Sequence, residues 1–291
     1  MKLIGDNERL PVTLHHDVYP AIDPEPHFAA QTFRTKVVLV TGASYGIGQD
    51  IARFYARAGA HLVLVARTAA ALDQTKDLIL QDKSKGEVLI FVADVRDSGR
   101  AEEVVKATVE KLGRLDILVT NAGVLTPWNQ PLAEKDSDAW WNTFEVNVRG
   151  VFNYVRPAIP FLEECKGHLI AISAEASHIR IPGASDYHIS KQAINRLVEY
   201  VVLEHPEVKA FALHPGVIST HLAVATQWEG LIAPDTAALP AATALYLSAG
   251  KADWLSGRYY SANWDLEEAE RVWKGRILAE HGLVSKLCIP R

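Results

Sequence analysis

The stretch Thr41-Gly-Ala-Ser-Tyr-Gly-Ile-Gly48 decides the fold, because its three glycines join an apolar run to a helix-forming segment. The preceding run, Lys36-Val-Val-Leu-Val40, predicts a buried strand, and a helix should begin at about Gly46. Gly42 permits a tight turn at positive φ, and Gly46 lets the backbone approach a pyrophosphate. Gly48 allows the helix to pack closely on the sheet, with its free N–H groups facing the phosphates. Taken alone, the stretch is equally compatible with a structural junction between strand and helix.

The rest of the chain alternates strand-like and helical segments. Strands are predicted at 36–41, 61–66, 87–93, 115–120, 167–173, 207–213 and 257–262. The intervening segments are mostly long enough for helical crossovers, so we expect an α/β fold: a Rossmann-type, doubly wound parallel sheet of about seven strands with helices on both faces. Right-handed crossovers place the carboxyl ends of the strands at one edge, the carboxyl edge, where a dinucleotide binds.

The length of the chain limits its domain organisation. With 291 residues, the chain can form one large α/β domain, and a second independent domain would be cramped. We expect a single dinucleotide-binding and catalytic domain over 35–291, ending in a helix over about 266–280. An N-terminal extension over 1–34, interrupted by prolines, should lie over that domain or stay partly mobile.

Tyr187 and Lys191, in the sequence Tyr-His-Ile-Ser-Lys, carry most of the information about function. Three intervening residues place the phenol and the ammonium one helical turn apart on the same face, so the cation can favour the phenolate. A tyrosine, whose ordinary pKa is roughly 10, then becomes a usable acid. Together with the glycine-rich stretch, this pair indicates nicotinamide-dependent redox chemistry.

Three further motifs complete an ordered set. Asn121-Ala-Gly123 follows the fourth predicted strand, Asn147 lies in Glu-Val-Asn-Val-Arg-Gly, and Pro215-Gly216 follows a later strand. With these motifs in this order, the sequence resembles the short-chain dehydrogenase/reductase family over about residues 35–265. The segment from His15 to Pro24 is similar to the extension seen on many fungal members.

The resemblance implies roles for the catalytic residues. Tyr187 would give a proton to a substrate carbonyl as hydride arrives from the nicotinamide, or remove a proton from an alcohol in the reverse direction. Lys191 would bind the nicotinamide ribose and lower the pKa of Tyr187. Asn147 would hold, through its backbone, a water that links Lys191 to solvent as a proton relay.

The family's fourth catalytic residue is a serine, and here the chain departs from the pattern. The usual spacing from Tyr187 leads to Ala174, whereas Ser173 lies one residue earlier and would point to the opposite side of an unbroken strand. We favour Ser173 for this role. The alternatives are that Ser177 substitutes from the following loop, or that the site works without a serine.

The cofactor is predicted to be NADP(H). Strand two ends at Ala66-Arg67, where an acidic residue would bind the ribose 2′-hydroxyl of NAD(H), while a guanidinium can pair with a 2′-phosphate. A solvated surface arginine is the alternative. Asp94-Val95 resembles the family's adenine-contacting pair, although a strand-end turn would also explain Asp94, and Thr220 matches the position that hydrogen-bonds the carboxamide. By resemblance, the cofactor-binding residues also include Gly42, Ser44, Gly46, Ile47, Gly48, Asn121, Ala122, Gly123, Tyr187, Lys191, Pro215 and Gly216.

Composition excludes several classes of function. A formal net charge of −5 gives no basic surface for nucleic acid, and no run approaches the roughly twenty apolar residues that span a membrane. The N-terminus lacks the apolar stretch of a signal peptide, and two cysteines, Cys165 and Cys288, suit a reducing compartment, so we expect a cytoplasmic protein. His15 and His16 lack further ligands, so no metal site is predicted.

The substrate is expected to be small and hydrophobic. The segment from Ile218 to Asp235, the lid segment, contains Trp228 and falls where the family carries a mobile lid. Trp128 and Trp140-Trp141 could reach either the pocket or the core. An apolar lining favours a bulky ketone or alcohol, such as a polyketide, terpenoid or alkaloid intermediate. His188, rotated away from Tyr187 on the helix, is predicted to be a surface or interface residue.

Helices around 136–162 and 187–204 resemble those that join subunits in the family, so a homodimer or homotetramer is expected by analogy. Two other functions stay open. One is an enzyme of the same fold that catalyses a non-redox step, such as isomerisation, dehydration or cyclisation. The other is a regulator that senses NADP(H), although such a protein needs no proton donor.

Overall fold

A computed structural model describes residue 5 and residues 8–82, 84–228 and 231–287. Cys288 and two residues of the lid segment, 229 and 230, lie outside the described residues. None of the described helices combines the length and apolar character required to cross a bilayer. The described residues include no cluster of three or more metal-ligating side chains.

Seven strands form the centre of the molecule. They are β1 (Val37–Thr41), β2 (His61–Ala66), β3 (Val88–Val92), β4 (Ile117–Thr120), β5 (His168–Ile172), β6 (Lys209–His214) and β7 (Arg258–Ser261). Every predicted strand is present, and the bounds differ from the predicted ones by at most two residues.

Helices connect the strands and cover both faces of the sheet. They are α1 (Glu25–Ala30), α2 (Gly46–Arg57), α3 (Ala69–Gln81), α4 (Ser98–Leu112), α5 (Ser137–Phe144), α6 (Gly150–Cys165), α7 (Ser185–Glu204), α8 (His221–Ala225), α9 (Ala238–Tyr246), α10 (Leu266–Glu268) and α11 (Lys274–Ala279). Wider π-helical turns join α5 to α6 at Glu145–Arg149 and α10 to α11 at Ala269–Trp273. The predicted C-terminal helix is therefore present with an irregular centre.

The sheet has the order β3-β2-β1-β4-β5-β6-β7, and every neighbouring pair is parallel. This is the predicted doubly wound arrangement. The chain reverses its direction of progress between β3 and β4, so a crevice opens where β1 and β4 lie side by side. Their register pairs Thr41 with Thr120, which places the segments that follow both strands next to each other at the carboxyl edge.

The strands form from continuous apolar runs because helices cover both faces of the sheet. Every residue of β1 and β4 is buried. This explains why short runs without alternation were sufficient to locate the strands in the sequence.

The N-terminal extension packs against the sheet domain over its described residues. Tyr19, Ile22 and Phe33 are buried in the same core as the strands. The Tyr19 hydroxyl donates to the carbonyl of Trp264 at 3.0 Å and accepts from the amide of Leu266 at 3.0 Å. The extension and the segment after β7 therefore stabilise each other beside the carboxyl edge.

Candidate functional site

The glycine turn, residues 41–48, lies at the carboxyl end of β1. Gly42 and Gly46 have φ angles of +66° and +57°, in the left-handed region that favours glycine. A Cβ on Gly48 would lie 2.4 Å from the Gly42 carbonyl oxygen, so only glycine fits without a backbone shift. The N-cap residue of α2, Tyr45, makes no side-chain capping bond, so no capping side chain competes for the first amides of the helix.

Asn121 ties the Asn-Ala-Gly segment to the glycine turn. Its side-chain amide donates to the carbonyls of Thr41 at 3.2 Å and Gly42 at 3.0 Å, and its backbone N–H donates to the Thr41 hydroxyl at 3.1 Å. Ala122 also donates to that hydroxyl, at 3.3 Å. Two motifs that lie 80 residues apart in the sequence thus form one rigid surface.

Tyr187 and Lys191 lie in α7, and the lysine is anchored. Lys191 Nζ donates to the Ile172 carbonyl at 2.7 Å and lies 5.6 Å from the centroid of the Tyr187 ring. A Cβ on Gly123 would lie 3.8 Å from Lys191 Nζ and 3.4 Å from Asn147 Oδ1. The structure therefore brings the Tyr-x-x-x-Lys, Asn-Ala-Gly and Asn147 motifs together at the carboxyl edge.

Asn147 occupies the π-helical turn between α5 and α6, and its side chain is fully bonded. Its Oδ1 accepts from the Val124 amide at 2.8 Å, and its Nδ2 donates to the Val124 carbonyl at 2.9 Å and to the Ser190 hydroxyl at 3.0 Å. Such turns often occur at functional sites, because they break the regular helical hydrogen-bond pattern.

Burial controls the protonation of both residues of the pair. Burial raises the pKa of Tyr187 above its ordinary value, which is the opposite direction to the lowering that the resemblance implies. Burial also lowers the pKa of Lys191 to about 8. At neutral pH, the phenol is therefore protonated and the lysine is still mainly an ammonium ion.

The Ser173 hydroxyl points towards α7. It donates to Asn195 Oδ1 at 2.6 Å, and Asn195 Nδ2 in turn donates to the Ser177 hydroxyl at 2.9 Å. Among the hydrogen bonds of the described residues, neither serine hydroxyl bonds to Tyr187. Asn195 was missed by the sequence reasoning, although its position four residues after Lys191 puts it on the same helical face.

The predicted adenosine-binding residues lie around the ends of β2 and β3. Arg67 is exposed directly after β2. Asp94 accepts from Arg96 through both carboxylate oxygens, and these bonds hold the pKa of Asp94 below its usual range despite its partial burial. Val95 is buried against Gly150, where a Cβ would lie 2.7 Å from the valine side chain.

The Pro215-Gly216 segment and Thr220 form the other side of the crevice. Gly216 has a φ of +94°, and a Cβ there would lie 2.7 Å from Asp235 Oδ2. The Thr220 hydroxyl caps α8 by accepting from the Ala223 amide at 3.2 Å. A Cβ on Gly46 would lie 3.2 Å from the Thr220 methyl group, so Thr220 lies against the glycine turn.

Two loops from distant parts of the chain meet beside Tyr187. Trp128, in the β4–α5 loop (residues 121–136), has its ring centroid 6.2 Å from that of Tyr187 and 5.8 Å from that of Trp228 in the lid segment. The Trp128 amide donates to the Thr226 carbonyl at 2.9 Å. These ring contacts link Trp228 to Tyr187 through Trp128, and the expectation that the tryptophans line a substrate pocket stays a prediction.

A buried ion pair fixes the β4–α5 loop, and no sequence pattern indicated it. Lys135 Nζ lies 3.1 Å from Asp186 Oδ1, and both side chains are almost fully buried. Burial alone would raise the pKa of Asp186, but bonds from Thr126, Thr143 and Lys135 outweigh it and lower that pKa. Because Asp186 immediately precedes Tyr187 in α7, the ion pair joins the loop to the N-terminal end of that helix.

His188 differs from the prediction. It is buried, and its Nδ1 lies 2.8 Å from the Ile179 carbonyl oxygen. The prediction of a surface or interface residue was wrong, because the loop after β5 folds back and covers that side of α7.

Comparisons with known proteins agree with this geometry. A model of the short chain dehydrogenase family matches residues 36–229. The short chain dehydrogenase mpl6 of Monascus purpureus is 38% identical over 267 residues, which cover 87% of this chain and 88% of that protein. The short chain dehydrogenase andI of Emericella variicolor is 35% identical over 266 residues, with coverage of 87% and 88%.

Solved structures show the same fold. An alcohol dehydrogenase from the archaeon Thermococcus sibiricus, complexed with 5-hydroxy-NADP, has a TM-score of 0.67 at 30% identity over 74% of this chain and 92% of that chain. Carveol dehydrogenase from Mycobacterium avium, in complex with NAD, has a TM-score of 0.71 at 23% identity over 78% of this chain and 95% of that chain. The two similar proteins therefore carry different nicotinamide nucleotides.

Proposed function

The chain belongs to the short-chain dehydrogenase family of oxidoreductases, and from that premise we propose that it is an NADP(H)-dependent enzyme that interconverts a carbonyl and a secondary alcohol. Tyr187 is the proposed general acid and base. The observation that carries the proposal is the convergence of Lys191, Asn147 and Gly123 beside Tyr187 at the carboxyl edge.

The residues at this edge fit a nicotinamide dinucleotide. Gly42 and Gly46 leave the space that a Cβ would fill, and the N-terminus of α2 can bind a pyrophosphate. Arg67, exposed at the end of β2, is the proposed ligand of a 2′-phosphate, and this residue is the basis for preferring NADP(H). The other proposed cofactor contacts are the motif residues that the family resemblance implies.

The protonation states at neutral pH, a phenol at Tyr187 and an ammonium at Lys191, fit proton donation to a carbonyl oxygen. A bound nicotinamide supplies hydride to the carbonyl carbon or takes it from the alcohol carbon. In reduction, Tyr187 gives its phenolic proton to the carbonyl oxygen, and in oxidation its phenolate takes the proton of the hydroxyl group. The ammonium of Lys191 stabilises the phenolate, because it is held nearby by the Ile172 carbonyl.

Replacement of the proton donor tests the reaction. We expect Tyr187→Phe to lower kcat by at least about 100-fold, the size of a general acid contribution, while the Kd for NADPH changes little. Nicotinamide absorbance with a panel of bulky ketones measures the rate, and fluorescence titration measures binding. Tyr200→Phe, an exposed tyrosine on the same helix, is the matched control. Unchanged turnover in Tyr187→Phe would contradict the proposed role.

Charge reversal at position 67 tests the cofactor. We expect Arg67→Asp to lower the ratio of NADPH to NADH efficiency by about tenfold or more, because a carboxylate repels a 2′-phosphate and accepts from a 2′-hydroxyl. Arg271→Asp, which alters an exposed arginine on the α10–α11 turn, controls for net charge. An unchanged ratio in Arg67→Asp removes the basis for NADP(H).

A non-redox reaction on the same fold is the second candidate. It is favoured by one observation: Ala174 follows β5 where the family has its serine, and the Ser173 hydroxyl bonds to Asn195. This candidate predicts tight NADPH binding without change in nicotinamide absorbance. If Ser173→Ala retains full turnover, the redox site works without that hydroxyl. An NADP(H)-sensing regulator is disfavoured, because it has no use for Tyr187.

A homo-oligomer is proposed from an exposed apolar groove between α5, α6 and α7. Trp141, Phe152 and Tyr200 are each about half exposed there, and together with Phe144 and Leu197 they line it. Burial of these side chains between two subunits would remove a large apolar patch from water. Analytical ultracentrifugation of the protein and of Trp141→Glu tests this proposal, with dissociation expected in the variant.

A further inference from the structure

Trp128 and Trp228 form one aromatic surface that starts at Tyr187. The ring planes of Trp128 and Tyr187 are inclined by 39°, and those of Trp128 and Trp228 by 40°. Trp128 is half-buried, whereas Trp228 is 38% exposed. The three rings therefore lead from the proposed proton donor towards solvent.

The backbone around these tryptophans is built to hold them in place. The Thr226 carbonyl accepts from the Trp128 amide, and the Thr226 hydroxyl accepts from the Trp228 amide at 3.2 Å. Gly183, at a φ of +85°, lets the Trp128 carbonyl approach so closely that a Cβ would lie 2.6 Å from it. The Lys135–Asp186 ion pair anchors the β4–α5 loop to α7. One threonine thus bonds to the backbone amides of both tryptophans.

We propose that Trp128 and Trp228 are specificity-determining residues that stack on a flat, conjugated ring system attached to the carbonyl protonated by Tyr187. This inference rests on the proposed function and names its substrate class. Indole rings attract flat π systems through offset or tilted stacking, which adds to the free energy of burial. A saturated, puckered ring of equal size has the same apolar area but gains no such stacking.

Two ketones with one carbon skeleton test the proposal: 2-acetylnaphthalene, which is flat, and 2-acetyldecalin, which is puckered. Calorimetry measures their binding to the enzyme–NADP⁺ complex, and nicotinamide absorbance measures kcat/KM. We expect the native enzyme to bind the flat ketone about tenfold more tightly. Trp128→Ala and Trp228→Ala should each lose most of this preference while binding the puckered ketone within about threefold of the native enzyme.

Two further variants serve as controls. Trp128→Phe should retain much of the preference, because a smaller aromatic ring remains. Trp273→Ala, which removes a tryptophan from the C-terminal π-helical turn, should leave both ketones unaffected. Circular dichroism and thermal unfolding establish that each variant is folded.

The outcomes separate this inference from the proposed function. Three outcomes overturn the aromatic surface as a specificity determinant. They are equal binding of the two ketones, no binding of either ketone, and an equal loss of affinity for both ketones in the alanine variants. Preferential binding of the flat ketone without hydride transfer supports the aromatic surface but contradicts the proposed redox function. Turnover of both ketones without preference supports the function and overturns the inference.

Discussion

The two halves of the carboxyl edge are held together in different ways. In the proposed cofactor half, residues 41–48 and 121–123, the Asn121 side chain donates to backbone carbonyls of the glycine turn, and each residue belongs to a short motif. The proposed substrate half comprises the β4–α5 loop and the lid segment. Its contacts join side chains far apart in the sequence, as between Lys135 and Asp186 or His16 and Asp235. Contacts to the backbone restrict the residue type so strongly that a single sequence reveals them as motifs. A pair of side chains far apart in the chain leaves no such pattern.

Gly48→Ala should produce the largest effect on NADPH binding, because it acts on the cofactor half. A methyl group at position 48 would lie 2.4 Å from both the Gly42 carbonyl oxygen and the Asn121 side-chain nitrogen. The turn must shift, so we expect NADPH binding to weaken by roughly 100-fold and the protein to lose about 1–3 kcal/mol of stability. Fluorescence titration and urea unfolding measure the two effects.

Gly275→Ala is the control, because its Cβ meets nothing within 4 Å in helix α11. It should be neutral or stabilise by up to about 1 kcal/mol. Binding of NADPH by Gly48→Ala at the native level would show that the turn adapts, and the contrast between the two halves would fail.

The sequence predicts the strands and the motif residues well, but it does not predict the side-chain pairs of the substrate half. All seven strands were predictable, most directly β1 and β4, which are buried throughout and appear as short apolar runs. The positions of Tyr187 and Lys191 were predictable from helical spacing. Asn195 could have been found by extending that spacing one more turn. By contrast, Asp186 precedes the tyrosine without any pattern, and its partner lies in a loop 51 residues earlier whose path only the folded chain defines.

Asp186→Asn should act on the substrate half and leave the cofactor half intact. The change leaves the Lys135 ammonium buried without its counter-ion, so we expect a loss of about 3–5 kcal/mol in the free energy of unfolding. NADPH binding should change by less than about threefold, while kcat/KM falls, because Trp128 loses its anchored loop. Lys106→Ala, in an exposed pair with Glu110, should cost less than about 1 kcal/mol.

The pH dependence sharpens this prediction. The pKa of Asp186 is lowered in the folded protein, so its contribution to stability is present above the ordinary aspartate pKa of 3.8 and is lost as the pH falls through the folded value. The difference in unfolding free energy between the native protein and Asp186→Asn should therefore narrow from pH 7 to pH 3. A constant difference would mean that the carboxylate charge is not what stabilises the loop.

His16→Ala should have the smallest effect, because the His16 side chain is 58% exposed. It removes one bond from Asp235, which still accepts from the Val217 amide and from Asn263. We expect a loss of less than about 1 kcal/mol in stability, no change in NADPH binding, and a change of a few-fold in kcat/KM, because Asp235 ends the lid segment.

His205→Ala is the matched control, since His205 pairs with Glu163 at 3.0 Å at the C-terminus of α7, away from the carboxyl edge. It should alter stability by a similar amount without changing kcat/KM. Equal catalytic effects of the two variants would show that the N-terminal extension contributes only to stability. A catalytic effect confined to His16→Ala would show that the extension helps to position the lid segment, and that the substrate half extends beyond the family motifs into the first residues of the chain.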